Sequence, residues 1–134
     1  MLDTNVLISV LLFPSERMNQ MVDYIFKNHE LVLSSYVVEE LKDVVNRKFP
    51  KKAGVVDTLL AKMNYEYVYT PETIDESLFS IRDMKDYPVM YTAILEDVDV
   101  LITGDKDFED VNVERPEIMT PGEFYEICVE KKNN

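Results

Sequence analysis

The sequence predicts an α/β fold, a three-layer α/β/α sandwich around a central, mainly parallel sheet. Three observations lead there. At 134 residues and 46% hydrophobic content, the chain suits one domain, residues 1–134, with a substantial core. Short apolar runs of strand length alternate with stretches patterned at helical spacing, and strands separated by helices pair in parallel through right-handed crossovers. No internal repeat, low-complexity segment or linker interrupts the alternation.

Each element has a local reason. Only Met1 and Leu2 precede Asp3, so the first strand is expected to be short. Ile8 to Phe13 begins a first helix that Pro14 interrupts, and Ser15 is a candidate N-cap for a helix carrying Met18, Met21, Val22, Ile25 and Phe26 at helical spacing. Leu31 to Ser34 reads as a short buried strand. Ser35 to Phe49 is a strongly patterned helix closed by Pro50, a further helix covers Val55 to Tyr65, and Tyr67-Val68-Tyr69 is strand-like. Asp86 to Leu95 is helical with Pro88 near its start, where proline is tolerated. Asp99 to Thr103 is a fully buried strand, and Pro121 to Val129 a closing helix. Active sites on such sheets lie beyond the carboxyl ends of the strands, where Asp3, Ser34 and Asp105 fall.

Composition narrows the function. A formal charge of −12 argues against a general DNA-binding protein, because phosphate binding draws on clustered Lys and Arg. It is compatible with an enzyme that meets phosphate through bound metal, since a divalent ion reverses the local field. The main basic island, Arg47, Lys48, Lys51 and Lys52, is either an RNA contact or a solvated helix end. A single Cys128 excludes an internal disulfide, and a buried inert thiol is expected there. His29 stands alone as a surface or helix-end residue, so no Cys/His cluster offers a zinc site. With no apolar run of membrane-spanning length and no signal-peptide pattern, a cytoplasmic protein without membrane contact is expected.

Carboxylates at the ends of buried strands are costly unless something compensates their charge, and several of them together point to a divalent metal. On the helix after Ser34, Val37, Val38, Leu41, Val44 and Val45 define an apolar stripe. Glu40 projects roughly 95° from its centre and borders the core, whereas Glu39 projects roughly 165° away into solvent. Asp86 falls near the middle of the stripe of Val89, Met90, Ala93 and Ile94, an odd place for an acid unless it caps the helix or holds a metal. Tyr65, Tyr67 and Tyr69 read as core and sheet-face residues, with base stacking as the alternative. Asp97 and Asp99 read as surface caps, and Gly104 as the residue permitting the turn that presents Asp105.

Asp3-Thr4-Asn5-Val6-Leu7-Ile8-Ser9 resembles the opening motif of the PIN domain, and more narrowly of the PIN toxins of toxin–antitoxin systems. Ser34 followed by Glu39-Glu40-Leu41 and Arg47-Lys48-Phe49 is similar to the second block of that family. Asp86 with Ala93, then Asp99 and Thr103-Gly104-Asp105-Lys106-Asp107-Phe108, resemble its third and fourth. Four blocks in order span nearly the whole chain.

The resemblance implies a PIN-like fold and a metal-dependent endoribonuclease cleaving single-stranded RNA. Mg²⁺ or Mn²⁺ would be held by Asp3, Glu40, Asp86 and Asp105. Asn5, Ser34, Thr103 and Asp107 would orient these carboxylates or a water. It also implies a cognate antitoxin partner, with self-association compatible. Two other classes stay open: a phosphohydrolase using Asp3 as phosphoacceptor, although Asn5 stands where that class would have a second Asp, and a catalytically silent PIN-like binding module.

Overall fold

Polar side-chain caps decide where four of the α-helices begin. In the computed structural model, which describes residues 1–130, α1 (Thr4–Leu12) starts directly after Asp3, whose carboxylate accepts a hydrogen bond from the Thr4 amide. That is four residues before the apolar pattern alone suggests. Ser15 caps α2 (Glu16–Asn28) through the Met18 amide, as the sequence predicts. Ser34 does the same for α3 (Ser35–Lys48) through Val37. Pro50 both ends α3 and opens a 3₁₀ turn, Pro50–Lys52, leading into α4 (Ala53–Lys62). A second such turn, Met84–Asp86, precedes α5 (Tyr87–Leu95). Thr120 and Glu123 form a reciprocal capping box at α6 (Pro121–Phe124), which continues as a π-helical stretch over Tyr125–Glu130.

Every strand pairing among the described residues is parallel. β1 (Val32–Ser34) pairs with β2 (Glu66–Val68), and β3 (Val100–Ile102) with β4 (Glu117–Met119). The N-terminal segment runs beside β3: the Ile102 amide donates to the Met1 carbonyl at 2.9 Å and the Asp3 amide to the Ile102 carbonyl at 3.0 Å. Asp3 is thereby carried to the carboxyl end of β3. β4 has no counterpart in the sequence reading, because three residues with one buried side chain, directly after Pro116, hold too little pattern to register.

One apolar core joins these pieces. Leu2, Leu7, Leu33, Val37, Leu41, Met90, Leu101 and Phe108 are all essentially inaccessible, so each helix that frames the site is anchored beneath it. Burying one such side chain stabilises the fold by about 1.5–3 kcal/mol. Among the described residues no helix is long and apolar enough to cross a membrane.

Candidate metal centre

Asp3 is buried, 4% exposed, and both its oxygens are engaged. Oδ1 accepts from the Thr4 amide at 2.7 Å and Oδ2 from the Thr103 hydroxyl at 2.8 Å. Thr103 Oγ1 in turn accepts from the Asp105 amide at 3.1 Å, and Asp105 Oδ1 accepts from the Asp107 amide at 2.9 Å. One hydrogen-bonded chain therefore fixes Asp3 and Asp105 relative to each other, its link from Thr103 to Asp3 spanning 100 positions of sequence. Burial pushes the Asp3 carboxyl above its usual range; the two hydrogen bonds oppose that, and Glu40 and Asp105 reinforce it.

Asp86 occupies the N-cap position of α5, yet its side chain makes no capping bond, so the capping alternative does not describe it. Its Oδ2 is buried without a hydrogen-bond partner. Desolvation first, then the charges of Asp105 and Asp3, raise its pKa to about 7. Glu40 is half-buried on α3, and its field reaches both Asp3 and Tyr36. The four predicted acids thus share one electrostatic neighbourhood.

The tightest grouping within it is different. Carboxylate oxygens of Asp83, Asp86 and Asp107 all lie within 4.8 Å of one another. Asp107, expected only to orient other groups, stands as a candidate ligand, and desolvation followed by Asp105 raises its pKa. Asp83 was not singled out in the sequence, although its spacing three residues before Asp86, just ahead of Pro88, is a usable signal. It also caps the turn before α5 by accepting from the Lys85 amide. Arg82 brings a cation to the rim, 3.8 Å from Asp107 and 2.8 Å from Asp110.

The donors suit a divalent ion. They are all hard oxygens, and Asp86 supplies a buried carboxylate oxygen with no hydrogen-bond partner, a combination that suits a hard divalent cation over a soft-ligand metal.

Several expectations need correction. Thr103 bonds both Asp3 and the Asp105 amide, whereas Asn5 is exposed on α1 and, among the described residues, its side chain bonds no carboxylate. Ser34 is fully buried, and its hydroxyl oxygen accepts from the Val37 amide as the N-cap of α3. Gly104 has no positive φ and open space where a side chain would stand, so its conformational freedom is not what presents Asp105. Tyr65 packs half-buried against the core and Tyr67 lies on β2, in line with the sequence reading, but Tyr69 is 78% exposed beyond the end of β2 and packs edge to face on Tyr67. Arg47, Lys48, Lys51 and Lys52 are exposed at the far end of α3, with Lys48 about 12 Å along the axis from Glu40. Asp97 and Asp99 are exposed and pair with Arg115; Asp97, at φ 51°, also closes the C-terminus of α5, its amide donating to the Ile94 carbonyl and that of Val98 to the Ala93 carbonyl, whereas Asp99 pairs with Arg115 alone. His29 does lie exposed at the end of α2, and Cys128 is half-buried.

No curated protein matches the sequence. The fold is similar to that in the crystal structure of VapBC2 from Rickettsia felis bound to a DNA fragment from their promoter. The TM-score is 0.66 over 89% of this chain and 95% of that one, and the 18% identity makes this a likeness of fold. The family model described as the PIN domain matches residues 1–107, a span that contains Asp3, Glu40, Asp83, Asp86, Asp105 and Asp107. The chain belongs to the PIN domain family.

Proposed function

We propose that this protein is a Mg²⁺- or Mn²⁺-dependent endoribonuclease acting on single-stranded RNA, the toxin of a toxin–antitoxin pair working in the cytoplasm. The observation that carries this reading is Asp86: a carboxylate with a buried, unbonded oxygen, among other acids and beyond the carboxyl ends of parallel strands, in a PIN domain. Such a group is destabilising for the empty fold and useful to a ligand. The shared fold with VapBC2 and the toxin-like motifs support a cognate antitoxin as partner; self-association is compatible with both.

Asp3, Glu40, Asp86 and Asp105 would hold the ion, with Asp83 and Asp107 extending the site on the Asp86 side. When bound, the metal supplies Lewis-acid activation of water and neutralisation of phosphate charge. Thr103 keeps Asp3 and Asp105 in register by bonding one and accepting from the backbone of the other. Asp86, with a pKa of about 7, retains part of its proton near neutrality, so ion uptake displaces a proton from its carboxyl group. Arg82, anchored on Asp107 and Asp110, places an exposed guanidinium at the rim where an RNA phosphate would approach.

The phosphoacceptor alternative fits poorly. Asn5 stands where that class has a second Asp, and both Asp3 oxygens already accept hydrogen bonds, which weakens the carboxylate as a nucleophile while leaving each oxygen a lone pair for a metal. The decisive experiment is cleavage of a mixed-sequence single-stranded RNA by purified protein with Mg²⁺ or Mn²⁺ and with chelator. Metal-dependent cutting is expected. Equal cutting in both conditions would reject the metal mechanism, and no cutting in either would favour the silent binding module.

A further inference from the structure

We infer that Tyr36 is a positioning residue for the metal centre, clamping the peptide that aims Asp86. This rests on the metal-dependent reading above and adds a residue to it.

Asp86 has no hydrogen bond of its own side chain to fix its direction. Its aim must come from the backbone that carries it. The peptide unit between Lys85 and Asp86 is held at both ends. Its carbonyl, on Lys85, accepts from the Tyr36 hydroxyl at 2.8 Å, and its N–H, on Asp86, donates to the Asp83 carbonyl at 3.0 Å. Of these two bonds, only the Tyr36 one comes from outside the turn, 49 residues away in sequence. A turn closed by its own short-range bonds can rock as a unit. A tether from α3 prevents that.

The tether also spans the site. Tyr36 and Glu40 are one helical turn apart on α3 and share a face, so the clamp ties the helix bearing Glu40 to the turn bearing Asp86. The phenol ring is half-buried, and the carboxylates of Glu40, Asp86, Asp83 and Asp3 all act on its hydroxyl, which places it at the edge of the acid cluster. Half-buried with one side packed against the core, the ring could equally be that of a phenylalanine. What tyrosine adds is the hydroxyl that donates to the Lys85 carbonyl.

Tyr36→Phe keeps the ring and removes only that donor. Mn²⁺ binding by calorimetry should weaken by about tenfold, the lower end of what loss of a ligand-orienting partner costs. In the metal-free protein, hydrogen exchange at the Asp86 amide should accelerate by a factor of about 5, the net worth of one neutral hydrogen bond, while core amides such as Val37 and Leu101 keep their rates. A merely structural role would lower protection across the core and leave intrinsic Mn²⁺ affinity of the folded protein unchanged. Unaltered Asp86 exchange would overturn the clamp. Unaltered Mn²⁺ affinity with faster exchange would overturn its service to the metal. If the wild-type protein bound no Mn²⁺, the metal-dependent reading itself would fall, and the exchange measurement would still decide whether the clamp exists.

Discussion

The two ends of β3 carry the same residue type and treat it in opposite ways. At the amino end, Asp97 and Asp99 are 76% and 88% exposed and both pair with Arg115, so their charge is solvated and answered. At the carboxyl end, Asp105 joins the buried Asp3 and the half-buried Asp86; among the described residues neither of these two pairs with a cation, and Arg82 answers only Asp107 and Asp110 at the rim. The first arrangement needs nothing more. The second raises the pKa of Asp86 to about 7 and sacrifices stability that a ligand would restore. Acidity alone is therefore a poor marker of function in a chain of net charge −12; acidity without a resident counter-ion is a good one.

The sharpest way to break this contrast is to neutralise one acid at each end. Asp86→Asn should lower RNA cleavage by more than about 100-fold, beyond the 10–100-fold typical of groups that only orient ligands, whereas Asp99→Asn should leave it within about twofold. Rates on one RNA substrate at saturating Mn²⁺ compare them directly. Similar losses at both sites would erase the distinction. Glu39→Gln, on the solvated face of α3, should match Asp99→Asn.

Thr103→Val keeps the shape but removes the hydroxyl between Asp3 and the Asp105 amide. Cleavage should fall by about tenfold, and stability by about 1–3 kcal/mol as the buried Asp3 oxygen loses its donor. Denaturant titration without metal measures the second effect. Unchanged stability would mean that Asp3 does not depend on this bond.

The pH dependence of stability sharpens the comparison further. Because Asp86 has a folded-state pKa of about 7, above the ordinary 3.8, the folded chain keeps this proton where the unfolded chain has lost it. The group's contribution is full below about pH 4 and declines as pH rises towards 7. Metal-free wild-type protein should lose melting temperature across that window relative to Asp86→Asn, and the two curves should run parallel above it. Mn²⁺ at 100 times its dissociation constant should then return about 2.7 kcal/mol to the wild type and much less to the variant. A wild-type curve that rises relative to the variant through the same window would contradict the assigned environment of Asp86.

The smallest effect is expected at the basic island. Lys51→Ala with Lys52→Ala removes two exposed cations remote from Glu40, and should weaken RNA binding by a few-fold while lowering the salt slope by up to about 1.4. Binding that is identical at every salt concentration would return them to a solvated helix end.

Much of the scaffold was legible because its signals are local. Ser15 before a helical apolar stripe, Pro50 after α3 and Pro88 at the start of α5 each act within four residues. Helical periodicity likewise put Glu39 in solvent and Glu40 at the border of the core, and the blocks around Asp3 and Asp105 marked the strand ends. Which polar groups meet was a different matter. Ser34 and Thr103 both looked like orienting hydroxyls, but the nearest demand on Ser34 is the free amide of Val37, while Thr103 faces Asp3 only because residues 1–3 lie alongside β3. Asp83 and Asp107 come together through the turns before α5 and after β3, segments with no periodicity to read. Local sequence determined the helices, their caps and the acids offered at the strand ends. Packing of distant segments decided which of those acids share a site and which are left without a counter-charge, because that depends on contacts between residues up to 100 positions apart.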